Sequence, residues 1–259
     1  MVRNISVADY ETVPRPVLAI GNDNPPGWEK APHKHRRGQL LYAVSGVMLA
    51  TTEAGAWLVP PDGAVWIPPW TVHSVRSTGQ PLGMRNIFVD PDAIAGLPEE
   101  CRVVRITPLM RALILAAVDL PLEYDLDGRD ASVMNLLLQE LLVLPVLPLG
   151  LPLPVSGPLA EACHRFAEAP DPHVTIDDWC LRLNMSRRSF TRAFRAETGL
   201  SFAQWRQRAC LFAALPRLGD GEPVTSVALD LGYDSVAAFT TMFRRLLGEP
   251  PSRYFRKAG

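Results

Sequence analysis

Hydrophobic and polar positions along the 259-residue chain fall into two regimes. From Pro14 to Val89, short apolar runs alternate with Pro and Gly. These runs are Gln39–Val44, Val47–Thr52, Ala56–Val59, Ala64–Ile67 and Gly83–Val89. Their length and the turn residues between them predict a compact all-β sandwich or barrel. From Thr107 the period lengthens. Leu109–Leu120 and Ala131–Leu144 lack internal Pro and Gly and predict two helices, the second with Asp130 as N-cap. That second helix is apolar almost all round, from Val133 through Leu141 to Val143. Such a helix must bury several sides. Packing on the β region and sharing between two copies of a homodimer both meet that need. Pro145–Pro158 alternates Pro with Leu, Val and Gly and reads as a semi-extended linker, because proline breaks helices and central strands.

From Gly157 the chain reads as helical, broken at Gly199, Gly219/Gly221, Gly232 and Gly248. Two stretches, Ile176–Arg195 and Val224–Arg245, share one layout of short helix, tight turn and second helix. Ser186 and Ser235 stand where N-caps are wanted, 49 residues apart (235 − 186). Phe190/Phe194 and Phe239/Phe243 repeat at i, i+4 and put two rings on one buried face. Gly199 and Gly248 suit the left-handed residue that closes a helix. The pattern is a duplicated helix-turn-helix. With the rings inward, Arg187, Arg188, Thr191, Arg192 and Arg195 turn outward, a set suited to guanine edges and phosphates in the DNA major groove. Between the units, Phe202–Leu215 predicts a connecting helix of roughly 21 Å, stopped by Pro216. With its flanking helices it can set two readers about one DNA turn, ~34 Å, apart.

These residues resemble the AraC/XylS family of bacterial transcription regulators over about Leu159–Arg256. The most specific part is Val224-Thr-Ser-Val-Ala-Leu-Asp-Leu-Gly-Tyr233, then Phe239, Phe243-Arg-Arg and Gly248-Glu-Pro-Pro-Ser-Arg-Tyr254. The resemblance implies base reading at Arg188, Thr191 and Arg192 in the first unit, and at Val236, Ala237, Thr240 and Thr241 in the second. It implies phosphate contacts at Arg187, Arg195, Arg244 and Arg245. Val236 and Ala237 offer only apolar contact, so the first unit is expected to supply most of the specificity. Cys210 and Ala213 stand where relatives often carry Arg.

Charge sharpens the division. The whole chain has a net charge of −1, which excludes a simple polybasic binder. From Gly157 onward, however, 14 Lys+Arg meet 11 Asp+Glu, and the first 156 residues hold 12 and 16. An acidic half precedes a basic one. Five Arg and no acidic residue lie between Arg182 and Arg195. Cys101, Cys163, Cys180 and Cys210 form no CxxC pair and read as separate reduced thiols. No apolar run approaches the ~20 residues of a bilayer span, and Met1–Tyr10 lacks the basic-then-apolar order of a signal peptide. A cytoplasmic protein without a membrane partner is expected.

The N-terminal half carries Gly27, His33-Lys-His35, Gln39 and Gly46 at the spacing of the first cupin motif. Gly63–His73 looks like a looser second one. The resemblance covers about Gly27–Phe88 and points to AraC-type regulators with a cupin sensor, as do Arg37-Gly-Gln-Leu-Leu-Tyr42 and Trp66-Ile-Pro-Pro69. His33 and His35, two apart on a strand, face one side, and His73 can close the site from another strand. Enzymes of the cupin fold use such a site for Fe, Mn, Ni or Zn, usually with a carboxylate. Gln39 occupies that position here, and a neutral amide binds metal more weakly. The candidate metal ligands are therefore His33, His35, Gln39 and His73. Alternatively these are polar residues that hydrogen-bond an effector. Trp57 and Trp66, with Trp70, add aromatic area for a small-molecule pocket.

The expected architecture is an α+β multidomain chain. A cupin-like β-barrel sensor spans 1–106, a helical dimerisation and linker region 107–156, and an all-α double helix-turn-helix domain 157–259. The expected function is a sequence-specific regulator, not an enzyme, that binds double-stranded promoter DNA as a homodimer and senses a small-molecule or metal effector. The alternative is a cupin-fold metalloenzyme, an oxygenase or isomerase, with an accessory DNA-binding domain.

Overall fold

The computed structural model describes residues 11–255. The reading of Met1–Tyr10 as free of a signal peptide, and the end of the family resemblance at Arg256, lie outside them. The chain forms two compact units. One holds residues up to Ala50 plus Val59–Leu147, and the other holds Thr51–Leu58 plus Pro148 onward.

The first unit is two antiparallel sheets with two helices. Its strands are β1 (Val17–Asn24), β2 (Glu29–His33), β3 (Gly38–Ser45), β4 (Met48–Thr52), and, after β5 (Gly55–Val59), β6 (Gly63–Ile67), β7 (His73–Ser77), β8 (Leu82–Val89) and β9 (Arg102–Arg105). A six-stranded sheet runs β1-β8-β3-β6-β9-β10, the last being Val146–Leu147. In the second sheet β7 lies between β4 and β2. β3 and β6 are buried on both faces, which is why they read as continuous apolar runs. Register pairs Gln39 with Ile67 and Leu40 with Trp66. Successive side chains in a strand point to opposite faces. Leu40, Tyr42, Ala64, Trp66, Ile87 and Val89 therefore share one face, which forms a core with the helices. The Trp66 ring crosses the backbone at Gly38, where a Cβ would overlap it.

Helix α1 (Pro108–Val118) starts one residue before the expected position, because Thr107 caps it by accepting from the Met110 N–H at 3.1 Å. Helix α2 (Arg129–Val143) is capped at Gly128, not Asp130. Asp130 sits in the first turn, where its charge meets the positive end of the helix dipole. α2 buries Met134, Leu137, Leu138 and Leu141 against the sheet and leaves Leu136, Leu142 and Val143 exposed. Pro145–Pro158 is not a free linker. Val146–Leu147 pairs with β9, and β11 (Gly150–Pro152) pairs with β5 in the second unit. Proline is tolerated on edge strands, and the alternating Leu147, Leu149 and Leu151 are all buried. The expected region 107–156 is thus divided between the two units.

The second unit is helical: α3 (Gly157–Glu168), α4 (Ile176–Arg182), α5 (Arg187–Thr198), α6 (Phe202–Gly219), α7 (Val224–Asp230), α8 (Val236–Leu247) and α9 (Pro251–Tyr254). Trp179 is its hub. Phe166, Phe190, Phe194, Phe202 and Trp205 lie 5.1 to 6.2 Å from it, ring centre to ring centre. The Trp205 indole donates to the Pro152 carbonyl at 2.7 Å, tying β11 to α6. Pro216 does not stop α6, which runs 18 residues, roughly 27 Å. Leu215 and Leu218 are buried on either side of Pro216, and the Asp220 N–H bonds its carbonyl at 2.9 Å. Arg217 braces the end with ion pairs to Glu222 at 2.6 Å and Asp230 at 2.5 Å. Burial and these pairs outweigh the hydrogen bond that proline removes and the crowding of its ring against the preceding turn. Phe194→Ala is expected to destabilise this unit by about 3–5 kcal/mol. Leu126→Ala, at an exposed site of the other unit, should stay within about 0.5 kcal/mol. Urea unfolding followed by tryptophan fluorescence and circular dichroism checks both.

Candidate functional site

The first reader begins at α4, where Thr175 and Asp178 form a reciprocal capping box. Asn184 takes a positive φ of 50° in the turn, and Ser186 caps α5 by accepting from the Ser189 N–H at 3.2 Å. Gly199 closes α5 at φ 70°. Phe190 and Phe194 are fully buried, so Arg187, Arg188, Thr191, Arg192 and Arg195 share one open, exposed surface. Arg187 spends part of its charge on Asp177, 3.1 Å away. Arg188, Arg192 and Arg195 have no ion-pair partner among the described residues and stay available for an external anion.

The second reader repeats the construction. Ser235 accepts from the Ala238 N–H at 3.2 Å, Gly248 closes α8 at φ 84°, and Phe239 and Phe243 are buried. Ala237, Thr241, Arg244 and Arg245 are exposed, while Val236 and Thr240 are half-buried. Thr241 and Arg245, one turn apart, also line a cavity beside Tyr233.

In the first unit the three imidazoles come together. His33 ends β2 and stands opposite His73, the first residue of β7. His35 lies past the end of β2 in the connecting segment, not on the strand as expected. The Trp70 N–H donates to the His35 carbonyl at 2.9 Å, joining that segment to the loop before β7. Ring centres are 4.4 Å apart for His33–His73, 5.2 Å for His35–His73 and 5.9 Å for His33–His35. One donor nitrogen from each ring lies within 4.8 Å of the others.

Their protons are assigned by the backbone. The Nδ1 of His33, His35 and His73 face the carbonyls of Ala31, Arg37 and Thr71 at 3.0, 2.6 and 2.9 Å. A carbonyl only accepts, so each Nδ1 carries a hydrogen and each Nε2 of a neutral ring offers a lone pair. Burial lowers the affinity of His33 for a second proton and pushes His73 down to about 4. Gln39 reaches in from β3. Its Oε1 is 3.0 Å from His35 Nε2 and 3.1 Å from His73 Nε2, and its Nε2 donates to Asn86 Oδ1 at 3.1 Å. Asn86 in turn donates to Asn22 Oδ1 at 2.8 Å. In this orientation four lone-pair donors converge with no proton between them. A cation converts that repulsion into coordination, since donors about 2.1 Å from one ion stand about 3 Å apart. Turning the Gln39 amide end for end also satisfies the rings, its two N–H groups then donating to His35 and His73. The residues present fit a divalent transition metal with neutral ligands.

One expected tryptophan lies elsewhere. Trp66 sits on the opposite face of β6 from the site. It is buried in the helix-covered core and donates to the Pro98 carbonyl at 2.8 Å. Trp57 belongs to the second unit, paired with Gly150 on β11. Trp70 is 60% exposed at a φ of 62°, a conformation rare for a bulky residue. Sequence reasoning missed Asn86, which orients Gln39, and Phe88, whose ring edge meets His35 at 5.4 Å. Alternation along β8 carries that signal, because 86 and 88 fall opposite the core positions 87 and 89. Cys101, Cys163, Cys180 and Cys210 are all free thiols. Among the described residues no helix is long and apolar enough to cross a membrane.

Residues 15–143 match the family described as AraC-like ligand binding domain, and residues 179–257 match a helix-turn-helix domain. The chain is 36% identical over 225 residues to the HTH-type transcriptional regulator NimR of Escherichia coli K12, covering 87% of this chain and 82% of the relative. It is 24% identical over 204 residues to the arabinose operon regulatory protein of Salmonella typhimurium LT2, covering 75% of this chain and 68% of that one. The DNA-binding domain of AdpA, solved with a target DNA, is 33% identical and covers 39% of this chain and 93% of its own, with a TM-score of 0.37. The chain therefore belongs to the AraC family of transcription regulators, with an N-terminal ligand-binding domain and a C-terminal helix-turn-helix domain that binds DNA.

Proposed function

We propose that this regulator senses a divalent transition metal of the Zn, Ni, Fe or Mn group, held by His33, His35, His73 and Gln39. The convergence of three backbone-locked imidazoles, two of them meeting the Gln39 oxygen, carries this reading. Bound there, the ion supplies a fixed positive charge in a pocket whose own ligands are neutral. Gln39 replaces the carboxylate that cupin enzymes use, which favours sensing over turnover by an oxygenase or isomerase. A ligand can shift a two-state equilibrium only by its differential affinity for the two states. The ion or a small molecule held beside it accordingly stabilises one arrangement of the sensor. The protein acts in the cytoplasm on double-stranded promoter DNA, and as a homodimer. The exposed Leu136, Leu142 and Val143 on α2 support dimerisation, with Val143 71% exposed on a helix end that no other described element covers. A second reading, an effector hydrogen-bonded by the same imidazoles without metal, is favoured by the reversed Gln39 amide.

In the readers, the free guanidiniums of α5 supply most of the base discrimination, and α8 adds apolar and phosphate contacts. Arg192→Ala is expected to cost about 1–3 kcal/mol and to relax preference at one base position, while Arg244→Ala weakens all sequences alike and lowers the salt slope by about one. Competition binding with a randomised duplex library over a salt series distinguishes them. An unchanged preference in Arg192→Ala would remove it from the reading set.

Chelator-treated protein should take up one equivalent of Zn or Ni in native mass spectrometry. His35→Ala and His73→Ala should take up none, and Gln39→Glu should bind more tightly because it adds a charge. Failure of the unmodified protein to load would leave the metal-free effector reading. Sedimentation should show a dimer for the unmodified chain and a monomer for Leu136→Lys combined with Val143→Glu.

A further inference from the structure

A cavity of about 330 Å³ lies wholly within the DNA-binding unit. Its walls come from three places. The loop ahead of α4 supplies His173, α6 supplies Arg206 and Cys210, and the turn before α8 with α8 itself supplies Tyr233, Thr241 and Arg245. The volume is at the lower end of small-ligand sites, room for a compact group and its waters.

Its charge is one-sided. Arg206 donates to the Val174 carbonyl and lies over the Phe202 ring, 6.0 Å from its centre. Among the described residues it has no carboxylate partner. Arg245 is exposed and has no ion pair there either. His173 Nε2 donates to the Gly232 carbonyl at 2.5 Å. The Cys210 thiol and Tyr233 hydroxyl hydrogen-bond each other. Burial pushes the thiol up to about 11 and raises the hydroxyl too. Both therefore stay protonated and give the guanidiniums no anion. The carboxylate lining the cavity, Asp234, is 87% exposed and 3.9 Å from His173, and the Asp171 carboxylate accepts from the His173 N–H nearby. Two guanidiniums thus face a polar cavity, and neither has a carboxylate within ion-pair distance among the described residues. Guanidinium recognises planar or tetrahedral oxyanions through paired N–H groups.

We infer that this cavity is an oxyanion site at which Arg206 and Arg245 hold one phosphate-type group, carried by the DNA backbone or by a small free anion. Arg206 stands on the connecting helix and Arg245 on the second reader helix. An oxyanion held by both fixes the second reader on α6 and so fixes its register against the first. Arg206 is thereby a positioning residue for DNA recognition that the outward face of neither reader contains.

Two arms test the site on the full chain. In the first, thermal unfolding is followed with inorganic phosphate against chloride at equal ionic strength. Because phosphate stabilises folded proteins in general, the readout is the difference between unmodified protein and variant. In the second, the salt dependence of operator binding and phosphate-ethylation interference are compared. A phosphate-specific rise in Tm, lost in Arg206→Gln and retained in Arg206→Lys, supports the site with a free anion. No such rise, with a salt slope lower by about one in Arg206→Gln and loss of interference at one phosphate between the two half-sites, supports it with DNA as the source. Arg245→Gln, whose side chain makes no hydrogen bond or ion pair among the described residues, repeats both arms should Arg206→Gln misfold. If folded variants show no Tm difference and no change of slope, the proposal is overturned.

Discussion

The pleat of strand β3 is the constraint on which the sensor domain depends. Gln39 and Leu40 are adjacent, yet the two-residue period of a strand sends them to opposite faces. Leu40 joins Trp66, Ile87 and the two helices in a core. Gln39 meets the imidazoles on the other side, with Asn86 behind it. β6 and β8 follow the same parity, so one face of the sheet packs against the helices while the other, also buried, carries the polar site among its apolar neighbours. A slip of one residue would exchange them, burying an amide among leucines and a leucine among histidines. The backbone completes the site, because three carbonyls fix which nitrogen of each ring is protonated.

The DNA-binding unit uses the helical period in the same way. Phe190 and Phe194 anchor α5 to the Trp179 cluster, and Phe239 and Phe243 anchor α8. With those faces committed to burial, the guanidiniums of α5 have nowhere to go but outward. The hydrophobic core therefore aims the arginines without touching them. The net charge of −1 gives no hint of this, since it sums an acidic sensor and a basic reader.

Local sequence was enough to read the duplicated helix-turn-helix. Caps, turns and the i, i+4 aromatic pairs are local, and both Ser186 and Ser235 cap as their position predicts. The short apolar runs of the N-terminal half were equally legible as strands. Proline was misleading in two places for one reason: its local cost, a lost hydrogen bond and in a helix a clash with the carbonyl four residues back, can be exceeded by burial. Pro216 sits inside α6 between buried leucines, and the proline-rich segment after α2 adds edge strands to both units.

The sequence by itself determined the class of each unit, the aromatic cores of the readers, the outward arginines and the His33/His35 pair, because each follows from spacing within a few residues; that His73 joins the pair follows from the register of β2 with β7. Only the tertiary structure decided that Trp66 is core, that Trp57 belongs with the other unit, and that Asn86 orients Gln39. It alone brought Arg206 and Arg245 to one cavity. These depend on strand register and on helices meeting across tens of residues. The energy that selects such contacts is burial summed over the whole core, which no short stretch of sequence contains.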